Sequence, residues 1–215
     1  MAAVDRPGAE RWVPDGGDLA ELRGAAPACR GCELYCDATQ VVFSDGSERA
    51  RIALVGEQPG DREDLEGEPF VGPAGRILDR AIEAAGIPRA ELYVTNAVKH
   101  FRFERRGKRR IHEKPGVAHI DACRPWLAAE LRVVAPDVVV CLGATAGRSV
   151  LGREVRIGAE RGHVIEPESG SAVPAARIVV TVHPSSILRI RESEEREKAF
   201  DAFVADLRLA AGVLK

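Results

Sequence analysis

The sequence predicts an α/β protein, a three-layer αβα sandwich around a central, mostly parallel four-stranded sheet. Three observations carry that expectation. Short apolar runs, Ile52 to Val55, Leu92 to Thr95, Asp137 to Leu142 and Ile178 to Val182, alternate with segments of helical periodicity. These runs are Val-, Ile- and Leu-rich almost without interruption, as strands covered on both faces are. Strand and helix then follow one another along most of the chain without an internal repeat, the pattern that builds parallel sheets with helices on each side.

In chain order, residues 1–50 read as a peripheral covering layer. Asp18 can cap a short helix from Leu19 to about Ala26, and Cys29-Arg-Gly-Cys32 and a turn-rich stretch around Asp45-Gly46-Ser47 follow. The strand Ile52 to Val55 opens the sheet and leads into a Gly- and Pro-rich loop from Gly56 to Gly75. Arg76 to Ala85 is a helix closed by Gly86, because glycine takes the left-handed conformation that ends a helix at little cost. After the strand Leu92 to Thr95 comes a long basic loop, then a helix near Ile120 to Val133, the strand Asp137 to Leu142 and a helix from Ala144 to Leu151. A turn-rich interval precedes the strand Ile178 to Val182. Ser193 to Ala211 closes the chain as a helix with charged and apolar residues at period 3.6. The 215 residues read as one domain, 1–215.

Composition narrows the function classes. With 45% hydrophobic and 30% charged residues, fibrous, collagenous and wholly disordered classes are excluded. No apolar stretch approaches the roughly 20 residues that span a bilayer, and the first 24 residues carry charges where a signal peptide needs its apolar core, so a cytoplasmic protein without membrane contact is expected. Five cysteines in that reducing compartment point to metal binding or chemistry rather than disulfides. A net charge of −2 means that an anionic partner must be met locally. Such a place exists between Arg102 and Lys114, where seven Lys or Arg stand against two Glu, a local excess of five positive charges.

Four loops leaving carboxyl ends of strands carry unusual chemistry: Gly56-Glu-Gln-Pro-Gly60, Asn96 to Pro115, Gly143-Ala-Thr145 and His183-Pro-Ser-Ser186. They converge if the sheet is parallel. Glu57 supplies a carboxylate in a Gly-flanked turn, Phe70 a stacking face, Asn96 an amide able to read a base edge, and His183 an imidazole that titrates near neutrality. Taken singly, each has a plainer reading: a solvated Glu, a Phe plugging its loop, a structural His. Likewise Cys29-x-x-Cys32 alone fits zinc, redox chemistry or neither.

The ordered series Gly56-Glu-Gln-Pro-Gly-Asp61, Glu63-Asp64, Gly67, Pro69-Phe-Val-Gly72, Ala74-Gly75, Asn96, Cys123-Arg-Pro125, Leu142-Gly-Ala-Thr145 and His183-Pro-Ser-Ser186 resembles the uracil-DNA glycosylase superfamily, in particular its iron-sulfur family 4. Two departures matter. Gln58 stands where family 4 usually has Ala, and the cysteine expected after the strand-end Asn is replaced in Asn96-Ala-Val-Lys-His100. A longer loop containing Lys108-Arg-Arg-Ile-His112, within an inserted basic segment at 100–115, resembles the divergent UdgX branch, whose members attach covalently to uracil-containing DNA through the histidine of that loop.

The resemblance implies Glu57, His112 and His183 as catalytic residues, His112 forming the covalent link. It implies Gly56, Gln58, Phe70, Asn96 and His183 around uracil, and Lys108, Arg109, Arg110, Ser185 and Arg189 on DNA, with Arg191 a further candidate. It also implies a four-iron four-sulfur (4Fe-4S) cluster on Cys29, Cys32, His100 and Cys123, with Cys36 the rival fourth ligand and Cys141 a core thiol. The expected partner is uracil-containing DNA, single strands preferred, with uracil as product and the protein a monomer. The alternative is a turnover family 4-type glycosylase that releases uracil and leaves an abasic site. His119 and His163 match no motif and read as structural or surface residues.

Overall fold

The structure, a computed structural model, describes residues 6–173 and 175–214. In chain order the elements are α1 (Leu19–Ala25), β1 (Ser44–Gly46), β2 (Ile52–Gly56), α2 (Asp61–Glu66), α3 (Pro73–Ala85), β3 (Leu92–Asn96), β4 (Phe103–Arg106), β5 (Arg109–His112), α4 (Val117–Val134), β6 (Val138–Leu142), α5 (Ala144–Leu151), α6 (Ile157–Glu160), β7 (Val164–Ile165), β8 (Arg177–Thr181), α7 (Pro184–Leu188) and α8 (Ser193–Gly212). The main sheet has the order β1-β3-β2-β6-β8-β7. Its inner four strands β3, β2, β6 and β8 are parallel, while β1 and β7 join the edges antiparallel. The expected four-stranded parallel sheet is thus the centre of a six-stranded one. The two extra strands are only three and two residues long, too short for a periodic signal.

Alternation along the strands divides the core into two layers. Ile52, Leu54, Val94, Val140 and Val179 pack with Leu78 and Ile82 of α3 and Phe203 and Leu207 of α8. Ala53, Val55, Tyr93, Val139, Cys141 and Val180 face the other way, against Leu22 of α1, Trp126 and Leu127 of α4 and Val150 of α5. All five residues of each of β2, β3 and β6 are buried, in agreement with strands covered on both faces. Among the described residues, no helix is long and apolar enough to cross a membrane.

Residues before β2 are more than a cover. Leu22, Ala26 and Phe43 belong to the core, and Phe43 meets Trp126 edge-on at 6.0 Å. Asp18 caps α1 as its sequence suggests, accepting from the Glu21 N–H at 2.8 Å. Backbone bonds fasten the amino-terminal segment further: the Gly8 N–H donates to the Gly31 carbonyl at 3.1 Å and the Ala9 N–H to the Ala122 carbonyl at 2.9 Å. A Cβ on Gly31 would lie 2.9 Å from Gly8 backbone atoms, so the residue between the paired cysteines must be small for this contact.

His119 is buried and structural. Its Nδ1 accepts from the Gly116 N–H at 3.0 Å, capping α4, which leaves Nε2–H to donate to Glu33 at 3.0 Å. Arg6 donates to the same carboxylate at 2.8 Å. Burial pushes the Glu33 carboxyl up, but the bonds from Arg6 and His119 outweigh it and hold the group at about 2. A depressed carboxylate stabilises the fold fully above its unfolded value, ~4.3, and loses that contribution as pH falls through its folded value. Residues 6–36 should therefore loosen selectively between about pH 4 and pH 2, seen as faster amide exchange there than in the central strands. Glu33→Gln should remove that pH dependence, and an unchanged profile in the variant would exclude Glu33 as its source.

Candidate active site and cysteine cavity

Because the inner strands run parallel, the loops after them emerge at one rim. Gly56 pairs with Asn96 and Leu142 with Thr181, so the ends of β2, β3, β6 and β8 lie level. A cleft of about 520 Å³ opens there, lined by Glu57, Phe70, Asn96, His112, His183 and Arg189 among others. Residues distant in sequence are brought together as the parallel topology requires.

The cleft is tightly built around Gly56. A Cβ at that position would lie 2.3 Å from Asn96 Oδ1 and 2.6 Å from Phe70 Cζ, so only glycine admits both side chains. Phe70 itself has φ 59°, a left-handed conformation costly for an aromatic residue. Gly75 accommodates it, since a Cβ there would fall 1.5 Å from the Phe70 carbonyl oxygen. The Phe70 ring stacks at 28° to the His183 ring, centroids 6.0 Å apart. Asn96 is buried, and its Oδ1 has no hydrogen-bond partner among the described residues. An acceptor left open in this way is suited to a ligand's donor.

His183 caps the short α7, its Nδ1 accepting from the Ser185 N–H at 3.2 Å, with the Ser185 hydroxyl 2.8 Å away. Desolvation pulls the imidazole down to about 4; Glu57 opposes this, while His112 and Arg189 reinforce it. His183 is therefore neutral at pH 7, with its hydrogen on Nε2, a neutral donor rather than a cation. Ser185, expected on DNA, lines the cleft but has its N–H and hydroxyl engaged with His183.

Glu57 is held from both sides. Thr145 Oγ1 donates to its Oε2 at 2.5 Å, and His112 Nε2 stands 3.5 Å from Oε1. The sequence expectation gave Thr145 no role, although it ends the Leu142-Gly-Ala-Thr145 series. His112 reaches this place on a hairpin, since the basic segment expected as a loop pairs β4 with β5, Phe103 opposite His112.

Two sequence expectations change at the hairpin. Gln58, expected at the ligand, lines the cleft but spends its side-chain amide on the hairpin's base: Nε2 donates to the carbonyls of Arg102 and Glu113, each at 3.1 Å, and Oε1 accepts from the Arg102 N–H at 3.2 Å. Arg110, expected on phosphate, turns inward instead. It donates to Asp61 at 2.6 Å, to Asp64 at 2.5 Å and to Thr39 at 3.0 Å, and lies over the rings of Phe101 and Phe103. Its charge is neutralised by the two aspartates. Lys108, Arg109 and Arg189 remain exposed, as do Arg191 and His163.

Cys29, Cys32, His100 and Cys123 line one small cavity together with Lys99 and Trp126. Cys36 is exposed and does not line it, and Cys141 is a fully buried thiol within β6. Burial pushes the Cys123 thiol up to about 12 and the Cys32 thiol upward, and lowers His100 to about 4, leaving a neutral imidazole. N–H groups point at the sulfurs: Trp126 Nε1 at 3.2 Å and Gly31 N at 3.5 Å from Cys29 Sγ, and Lys99 N at 3.3 Å from Cys123 Sγ. Among the described residues, no three His, Cys, Asp or Glu donors gather closely enough for a single metal ion.

A fold with a parallel sheet and this rim agrees with what sequence comparison finds. The profile of the uracil DNA glycosylase superfamily matches residues 43–208, and the chain belongs to that superfamily. It is 37% identical over 169 residues to the type-4 uracil-DNA glycosylase of Thermotoga maritima, covering 78% of this chain and 82% of that one. The type-4 uracil-DNA glycosylase of Archaeoglobus fulgidus is 34% identical over 179 residues, 80% of this chain and 85% of its own.

The hairpin's position depends on Gln58 and Arg110, so Arg110→Ala should speed amide exchange across Phe103–His112 by roughly tenfold or more while leaving the central strands protected. Equal protection in variant and parent would show that the hairpin is held by other contacts.

Proposed function

We propose that the protein excises uracil from DNA in repair and that His112, in place of water, captures the sugar it frees. The observation that carries this reading is the single cleft holding Glu57, Phe70, Asn96, His112 and His183, with His112 Nε2 3.5 Å from Glu57. A base inside a duplex is out of reach, so the substrate enters unpaired; a single strand avoids most of the unpairing cost, which supports single-stranded DNA as the preferred form.

Phe70 offers its ring face to uracil. The open Oδ1 of Asn96 suits the N3–H of the base. As the C1′–N1 bond breaks, its electron pair goes to uracil, and the neutral Nε2–H of His183 donates to the carbonyl oxygen where charge develops. The Glu57 carboxylate faces the sugar, which becomes oxocarbenium-like. A ring nitrogen of His112 then gives its pair to C1′, forming a C–N bond, and Glu57 takes the ring proton. The uracil anion gains a proton from water. Exposed Lys108, Arg109 and Arg189 meet phosphates, so affinity falls as salt rises.

For the cysteine cavity we propose a 4Fe-4S cluster held by Cys29, Cys32, His100 and Cys123. Three thiols, one neutral imidazole and N–H donors to sulfur around one cavity suit such a group. When bound, the cluster supplies a rigid, charged tie between the amino-terminal segment, the turn after β3 and α4. Five free thiols suit a cytoplasmic protein, and we take it to act as a monomer.

A second reading, turnover excision with release of an abasic site, is favoured by the type-4 name of both relatives. The two readings separate on a denaturing gel. A single-stranded oligonucleotide with one uracil should give a shifted band that survives boiling in detergent, absent with thymine and lost in His112→Ser. Strand cleavage after alkali without a shifted band would establish turnover instead.

Thr145→Val should free Glu57 Oε2 and slow adduct formation, by roughly tenfold if the bond is worth that of a typical charged acceptor, with Thr145→Ser restoring the rate. Gly56→Ala should abolish uracil selection by displacing Asn96 and Phe70; retained selection would mean that these two side chains do not read the base.

A further inference from the structure

Lys99 is the buried charge that the proposed chemistry does not use. Its side chain is 1% exposed and that of its ion-pair partner Glu130 is 0% exposed. Its ammonium donates to Thr95 Oγ1 at 2.6 Å and to the backbone carbonyl of Asn96 at 2.9 Å. The Glu130 carboxylate accepts in turn from Tyr93 at 2.8 Å and Thr95 at 2.7 Å. The backbone N–H of Lys99 donates to Cys123 Sγ, and the Lys99 carbonyl accepts from the Val42 N–H at 2.9 Å.

These bonds join two sites through one turn. Residues 96–100 run from Asn96, with its open Oδ1 in the cleft, to His100 in the cysteine cavity. Cys123 and Glu130 are seven residues apart on α4 and so share a face, which presents a sulfur and a carboxylate to that turn. The turn is also sewn to the catalytic loop, the Ala97 N–H donating to the Gly56 carbonyl at 2.9 Å and the Val98 N–H to the Glu57 carbonyl at 3.0 Å. A fully buried ion pair is a poor source of stability, because desolvation offsets the attraction, whereas it fixes the geometry of whatever it bonds.

We propose that Lys99 is a positioning residue through which the cysteine cavity sets the place of Asn96, so that preference for uracil depends on a side chain that never touches the base. This rests on Asn96 reading uracil and on the cavity holding an iron-sulfur cluster. A pair serving stability alone would change melting and leave base preference intact.

Removing Lys99 alone strands a buried carboxylate, so the variant is Lys99→Met with Glu130→Met, which deletes both charges at similar volume. Parent and variant are purified with their native metal and compared by circular dichroism, iron content and visible absorbance. Equilibrium binding is then measured to single strands carrying one cleavage-resistant 2′-fluoro-deoxyuridine, or thymidine at the same position.

The folded variant should keep its affinity for the thymidine strand, which phosphates dominate, and lose roughly tenfold of its preference for uracil. An unchanged preference in the folded variant, with iron present or absent, overturns the proposal. If the parent prefers uracil but contains no iron, the cluster reading fails and the link from cavity to Asn96 falls with it. If the parent shows no uracil preference, it is the reading of Asn96 that fails.

Discussion

Parallel pairing of β2, β3, β6 and β8 obliges each strand to deliver its following loop to the same rim of the sheet, where the candidate cleft opens. Apolar side chains cover both faces of these strands, so the sheet cannot slide or tilt without exposing core. Groups standing at its edge inherit that rigidity. This is what places a strained Phe70, an Asn96 Oδ1 without a partner among the described residues and a neutral His183 within one cleft, an arrangement no local segment could maintain alone. The close approach at Gly56 follows from the same register, because its pairing partner is Asn96 itself.

The hairpin solves a different problem, how to hold a half-exposed histidine against that rim. Side chains two apart on a strand share a face, so Arg110 and His112 turn inward together. Arg110 stacks on Phe101 and Phe103 and is bound by Asp61 and Asp64, while Gln58 closes the hairpin's base. His112 is thus positioned by its neighbours' bonds more than by its own. The charge of the segment is divided accordingly: Arg110 pairs with Asp61 and Asp64, Arg102 with Glu113 and Arg106 with Glu104, and Lys108 and Arg109 remain exposed for solvent or an anion.

Much of this was legible in the sequence, because its signals were strong for physical reasons. Uninterrupted apolar runs located all four inner strands, and a glycine at the helix end located the stop at Gly86. Residues of the ordered motifs line one cleft, and Cys29, Cys32, His100 and Cys123 line one cavity. What stayed hidden was which way a polar side chain faces. Charge composition cannot tell an arginine free to meet phosphate from one that binds two aspartates, as Arg110 does. Gln58 lines the cleft, but nothing in the sequence signals that its amide is also committed across 44 residues to Arg102. Lys99 carried no sign of burial, since its partner Glu130 is brought near only by the packing of α4 on the sheet.

Capture by histidine and hydrolysis by water differ, on this reading, in one geometric respect. A ring nitrogen held in a near-attack position acts at an effective concentration of about 10⁵ M or more, far above any solvent species. A hairpin pinned by Gln58 and Arg110 supplies that restraint, and Glu57 Oε1 lies close enough to remove the proton whose departure makes the new bond neutral. On the proposed reading, an imidazole attached in this way is a poor leaving group unless it is protonated. One cleft then serves both steps of that reading, since the groups that would release the base, Glu57 and His183, line it together with the histidine that would capture the sugar.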